Sequence, residues 1–235
     1  MKNIIFLHGW GSQPKHWLPV KKLLEQNDCR VFFPTLPGFG KTLIKEPMNT
    51  TDYVNWLKSY INKKNLKQYF LIGHSFGGQI IIQFASKNPK ELKKIVLINS
   101  AGIRNKINLK KIIFKPVAKI GKLIFELPLI NQFKDFSLKI FYKFLKETDY
   151  YNASPVMKET QKNILTDDQQ QNMVKIKKPC LLIWGRHDTC TPLSDGQLMN
   201  QLIPNSKLTI IKNGKHGLHY THVKTLVKKI LWFIS

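Results

Sequence analysis

The sequence predicts an α/β fold: a mostly parallel sheet with helices on both faces, interrupted once by a helical insertion. Short, uniformly apolar runs bounded by turn residues recur along the chain, and stretches whose apolar residues fall three and four apart lie between them. Strands buried on both faces read as continuous apolar runs, and their alternation with helices marks a parallel sheet covered on both sides. One long stretch keeps the helical period without any such run. With 235 residues, the chain is long enough to bury one substantial core.

Ile4 to Leu7 is the first buried run and Val31 to Phe33 the second, ending at Pro34 and the loop Leu36-Pro37-Gly38-Phe39-Gly40. Tyr53, Trp56, Leu57, Tyr60 and Ile61 share a helical face, with Thr50 or Thr51 available as an N-cap. Tyr69 to Ile72 is a strand that runs through Gly73-His74-Ser75-Phe76-Gly77-Gly78 into a helical pattern closed by Asn88-Pro89. Lys94 to Asn99, Cys180 to Trp184 and Leu208 to Ile211 repeat the buried-strand signature, and helical patterns lie near Gly196 to Leu202 and Val223 to Ile234. Residues 104–178 form the expected insertion, and 1–103 with 179–235 the expected core. With no repeat or low-complexity linker, the insertion is read as a subdomain packed on the sheet.

Charge is the most unusual bulk property: 38 Lys and Arg against 14 Asp and Glu leave a formal +24. All the cations except Arg30, Arg104 and Arg186 are lysines, so the bidentate forks that read bases or clamp phosphates are nearly absent. The excess is also spread along the whole chain. A Lys-coated surface accounts for it, and no nucleic-acid partner is expected. No apolar run reaches the roughly 18 to 20 residues of a membrane span, and Ile4 to Leu7 leads into His8-Gly9 without a cleavage signal. Cys29, Cys180 and Cys190 are odd in number and lack the spacing of a disulfide framework or zinc knuckle. A reducing, cytoplasmic setting is expected, with no metal and no cofactor.

Gly73-His74-Ser75-Phe76-Gly77 fits G-x-S-x-G. Between a buried strand and a helix, this pattern builds a turn so tight that flanking side chains would strike neighbouring backbone, and it exposes the serine at the sheet edge. The helix N-terminus behind Ser75 favours developing negative charge. Ser75 is therefore the candidate nucleophile.

Five motifs in order, His8-Gly9-Trp10-Gly11, Leu36-Pro37-Gly38-Phe39-Gly40, Gly73 to Gly78, Trp184-Gly185-Arg186-His187-Asp188 and Gly214-Lys215-His216, make the chain resemble the α/β-hydrolase fold family over essentially its full length. Family members usually begin with a two-stranded hairpin that precedes the His-Gly strand. Here that strand starts near residue 3, so a sheet of about six strands without the first hairpin is expected.

A serine hydroxyl needs a general base and a third group that orients the base. The family order of serine, acid, histidine implies Asp188, three residues past the run that ends at Gly185. Asp167 and Asp168 fall in the insertion, Asp195 begins a helix, and the alternative acid position after the fourth strand reads Asn99-Ser100. The resemblance points to His216 as the base. His216, His219 and His222 share a spacing of three, but no carboxylate joins them and a metal site is not expected there. His8, His74 and His187 are read as framing residues. Two backbone N–H groups, of Trp10 by resemblance and of Phe76 as the residue after the nucleophile, are expected to hold the oxyanion.

The resemblance further implies that the insertion is a lid, whose aromatics from Phe114 to Tyr151 could line an apolar pocket. Its lysine-rich face from Leu109 to Ile124 is read as a solvated face ahead of a contact with anionic membrane. The expected activity is hydrolysis of a small-molecule carboxylic ester, thioester or lactone by a monomer or weak homodimer. The alternatives are a carbon–carbon bond hydrolase of meta-cleavage products and a slow or non-catalytic sensing member of the fold.

Overall fold

In the computed structural model the described residues are 1–104 and 153–235. The expected lid aromatics and the lysine-rich face of the insertion lie outside them. Six strands form one sheet: β1 (Lys2–Leu7), β2 (Cys29–Phe32), β3 (Tyr69–His74), β4 (Leu92–Ile98), β5 (Cys180–Gly185) and β6 (Ser206–Ile211). Their order is β2-β1-β3-β4-β5-β6, and every pair is parallel. Central strands are buried on both faces and β5 along its whole length, whereas the edge strands β2 and β6 alternate with exposed positions.

Side chains alternate across the sheet and sort two helical layers. On one face Ile4, Phe6, Ile72, Val96, Ile98, Leu181 and Ile183 form a core with Trp17, with α1 (Leu18–Glu25) and with α8 (Val223–Ile234). Helices α2 (Thr50–Lys63), α3 (Phe76–Ala85), α5 (Gln170–Met173) and α6 (Leu193–Leu202) pack in succession on the other side. Among the described residues the remaining helices are α4 (Pro155–Thr166) and α7 (Leu218–Thr221), with a 3-10 turn at Pro14–Trp17.

Helix α1 went unread in the sequence, because eight residues with two buried positions, Val20 and Leu24, give too short a period to register. The N-cap of α2 is neither expected threonine. Asn49 accepts from the Asp52 amide at 3.1 Å and Asp52 accepts from the Asn49 amide at 2.8 Å, a reciprocal capping box. Thr50 turns inward instead and accepts from Gln79 at 3.0 Å.

Of the expected insertion, the described part from Glu159 onward belongs to the same compact unit as the sheet. Ile164 O accepts from Gln79 and from Arg104, and the Gln169 amide donates to Gly102 O at 2.8 Å. Among the described residues no helix is long and apolar enough to cross a membrane.

The chain passes from β1 outward to β2 and then returns past β1 to β3. The strand order thus reverses between β1 and β3, the place along the carboxyl ends where open parallel sheets generally bind their ligands. Trp10 and Ser75 follow those two strand ends.

Candidate active site

Ser75 sits between β3 and α3 with φ 51° and ψ −118°, a left-handed conformation that a side chain adopts only when its surroundings force it. Those surroundings are visible. A Cβ on Gly77 would lie on the carbonyl groups of Leu7 and His8, and one on Gly73 would lie 2.7 Å from the Gly77 backbone. Helix α3 therefore starts hard against β1, and the turn has no room to relax.

The Ser75 amide donates to Ile98 O and its carbonyl accepts from Gly78 and Ala101, so the turn is pinned to the neighbouring strand as well. Phe76 is the first residue of α3, and its N–H has no partner within the helix. Neither the Phe76 nor the Trp10 amide donates to an acceptor among the described residues.

Asp188 follows β5 by three residues and His216 follows β6 by five. The register Gly185↔Ile211 brings the two loops together, and the Arg186 amide donates to Ile211 O and the His187 amide to Gly214 O. This approach needs glycine, since a Cβ on Gly185 would meet the Gly214 backbone at 2.6 Å. His216 Nδ1 lies 2.8 Å from Asp188 Oδ2, with the carboxylate fully buried and the imidazole one quarter exposed. Asp188 and His216 are thus joined directly. Ser75 is linked to this pair through its neighbour in sequence, His74, whose Nε2–H donates to His216 O at 3.0 Å and whose ring centroid is 4.7 Å from that of His216.

The surroundings of Asp188 fix its charge. Burial pushes its pKa up, but the bond and charge of His216 and the amides of Thr191 and Cys190 more than offset this and hold it below the usual carboxylate value. Its Oδ1 accepts from Cys190 N at 2.8 Å and Thr191 N at 3.1 Å, and Thr191 Oγ lies 2.9 Å from Oδ2. The Trp184 indole N–H, donating to Thr191 O at 2.9 Å, folds this loop back on β5. An ionised Asp188 accepts the Nδ1–H of His216, which leaves the lone pair on Nε2.

Of the framing histidines, His187 is exposed, whereas His8 and His74 are held neutral by burial. His8 falls to about 4, with Nδ1–H on Gly9 O at 2.9 Å and Nε2 accepting from the Leu36 amide at 3.0 Å, so it ties the Leu36 to Gly40 loop to the end of β1. His74 lies well below its usual value because it is buried and faces His216 and His219. His219 lies in α7, stacked on Trp17 with centroids 3.9 Å apart, and burial lowers it to about 4. His222 caps the next helix. The three histidines at spacing three therefore point to different neighbours. Among the described residues the group of potential metal ligands is instead Asp188, Cys190 and His216, with donor atoms all within 4.8 Å.

Sequence reasoning missed Asn99. It occupies the alternative acid position with φ 42°; its Nδ2 donates to Lys215 O at 3.0 Å and His216 O at 2.8 Å, and its Oδ1 accepts from the Gly185 amide at 2.8 Å. The available signal was a polar residue ending a wholly apolar strand. The Trp10 ring is edge-on to Phe39 at 5.0 Å and to Phe76 at 5.9 Å, and the buried Tyr53 packs on Phe76 and donates to Pro37 O.

The family model of the alpha/beta hydrolase fold matches residues 2–117 and 129–223. Human monoacylglycerol lipase ABHD6 is 21% identical, with 99% of this chain and 75% of that protein aligned. A 2-hydroxy-6-oxononadienedioate/2-hydroxy-6-oxononatrienedioate hydrolase of Cupriavidus pinatubonensis is 23% identical, over 100% of this chain and 87% of the relative. Among solved structures, an esterase from Exiguobacterium antarcticum superposes with a TM-score of 0.78 at 17% identity, over 100% and 92% of the two chains.

Proposed function

The chain belongs to the alpha/beta hydrolase fold family, and from that premise we propose that it is a serine hydrolase of carboxylic esters, thioesters or lactones. The observation that carries the reading is the 2.8 Å bond between Asp188 and His216 at the sheet edge where Ser75 stands on its left-handed turn. Ser75 Oγ attacks the substrate carbonyl carbon while His216 Nε2 takes its proton. The carbonyl oxygen becomes an oxyanion held by the Trp10 and Phe76 amides. The tetrahedral intermediate then collapses, the C–O or C–S bond to the leaving group breaks, and His216 returns the proton to that group. Water resolves the acyl-enzyme by the same steps in reverse order of partners. Asp188 keeps the imidazole in the productive tautomer and offsets the charge of the imidazolium.

The relatives that hydrolyse esters of glycerol support this reading, and those acting on meta-cleavage products support a second one. In that second reading the same residues cleave a carbon–carbon bond next to a carbonyl.

A chain-length series of p-nitrophenyl esters with lactones alongside tests the first reading on wild type, Ser75→Ala and His216→Ala. Turnover by wild type and a loss of roughly 10^3-fold or more in both variants is expected. No turnover of any activated ester, or full activity in Ser75→Ala, overturns it. Release of a dienoate from a ring-fission product with weak ester turnover favours the carbon–carbon reading.

A further inference from the structure

The geometry points to a second use of the same loop: Cys190, Asp188 and His216 form an inhibitory binding site for a thiophilic divalent cation such as Zn2+. One donor atom from each residue lies within 4.8 Å of the others. They come from three different ligand types, thiol, carboxylate and imidazole, and that combination is what zinc accepts and magnesium or calcium does not.

Zinc bonds of about 2.0 to 2.3 Å place tetrahedral donors roughly 3.3 to 3.7 Å apart. The 2.8 Å pair of His216 Nδ1 and Asp188 Oδ2 must open by about half an ångström to admit the ion, and Cys190 must approach by about 1 Å. Cys190 is exposed, so rotation about its Cα–Cβ bond supplies the movement. Its backbone is already fixed, because its amide donates to Asp188 Oδ1 at 2.8 Å.

The charges close. A thiolate and a carboxylate neutralise the dication, and the quarter-exposed imidazole edge leaves the fourth position to solvent. On binding, the thiol proton is released to buffer. The ion takes the place of the Nδ1 proton of His216, and that proton passes to Nε2. The imidazole then has no lone pair to offer Ser75. The inhibitory consequence rests on the reading of His216 as the base, while binding itself does not.

The test therefore has two arms, on wild type and Cys190→Ser, whose exposed position makes the exchange mild. In the first, Co2+ is titrated into metal-free protein, followed by its thiolate charge-transfer absorption, and displaced with Zn2+. A band in wild type that is missing from Cys190→Ser is expected. In the second, Zn2+ inhibits ester hydrolysis by wild type, EDTA reverses it, Mg2+ and Ca2+ do nothing, and the half-inhibiting concentration rises at least ~10-fold in the variant.

No band in wild type, a band that persists in Cys190→Ser, or equal Zn2+ potency in both proteins overturns the site. If no ester is turned over, the function reading fails and the cobalt arm still decides the site.

Discussion

The Asn99 side-chain amide donates to the carbonyl of His216 at 2.8 Å while its own Oδ1 accepts from Gly185 N at 2.8 Å. One side chain thus staples the histidine loop to the strand that delivers Asp188. Two further contacts share the work: Asn99 Nδ2 also reaches Lys215 O, and His74 Nε2–H reaches His216 O.

Replacing Asn99 with alanine removes the partner of the Lys215 carbonyl and of the Gly185 amide and leaves His216 O with His74 Nε2–H alone, in a mostly buried place. The expected cost is about 1 to 3 kcal/mol. Because the clamp positions His216 and touches no substrate, kcat should fall with KM nearly unchanged, and Asn99→Asp should fail to rescue it, since a carboxylate faces two carbonyl oxygens. Denaturant unfolding and ester kinetics on both variants check this; an unchanged kcat in Asn99→Ala contradicts the clamp.

Ser75 bears a side chain at φ 51°. Ser75→Gly removes the Cβ from that conformation, and although glycine loses more entropy on folding, the variant should be more stable by about 1 kcal/mol while losing hydrolysis. Ser75→Ala keeps the Cβ and should not gain. Thermal unfolding of the pair separates strain from the loss of the hydroxyl.

Gly185→Ala puts a methyl group 2.6 Å from the Gly214 backbone, so the loops carrying Asp188 and His216 must part. Activity should drop by at least ~10^2-fold, the scale of a displacement near 1 Å in a reacting geometry. Near-normal hydrolysis by a folded Gly185→Ala protein contradicts the proposed need for close approach.

His8, His74 and His219 are buried and their pKa values lie below 6.5, at about 4 for His8 and His219. The unfolded chain binds protons that the folded one excludes, so stability is full above pH 6.5 and falls as pH drops from there toward 4. His8 and His219 should each contribute on the order of 3 kcal/mol to that loss. Asp188 has the opposite shift: its depressed value stabilises the fold above the ordinary carboxylate range and is lost only below it. Urea midpoints measured between pH 7 and 4 should slope downward, with a shallower slope in a His219→Phe variant, whose ring still stacks on Trp17.

Much of the fold and the outline of the site were legible because their signals are local. Six apolar runs are the six strands of the sheet, and the turn around Ser75 is marked by the glycines of G-x-S-x-G, although the backbone that Gly77 meets is that of Leu7 and His8 at the end of β1. Asp188 and His216 were candidates because the family resemblance implies the order serine, acid, histidine. Local reasoning failed where the partner is distant. Asn99 looked like an acid position lacking its acid, and nothing near it in sequence indicates Lys215 and His216, more than 110 residues away. Cys190 carried no metal-site spacing in the sequence for the same reason. Asn49 displaced the expected threonine caps because Thr50 is drawn inward by Gln79.

By itself the sequence determined which segments are strands and where along the chain the chemistry-bearing residues fall, because burial pattern acts between near neighbours. The tertiary structure alone decided that Asp188 and His216 meet at 2.8 Å, that Asn99 holds their loops together and that Cys190 faces both. Those contacts depend on the register of β4, β5 and β6, and a register is set by packing of the whole sheet.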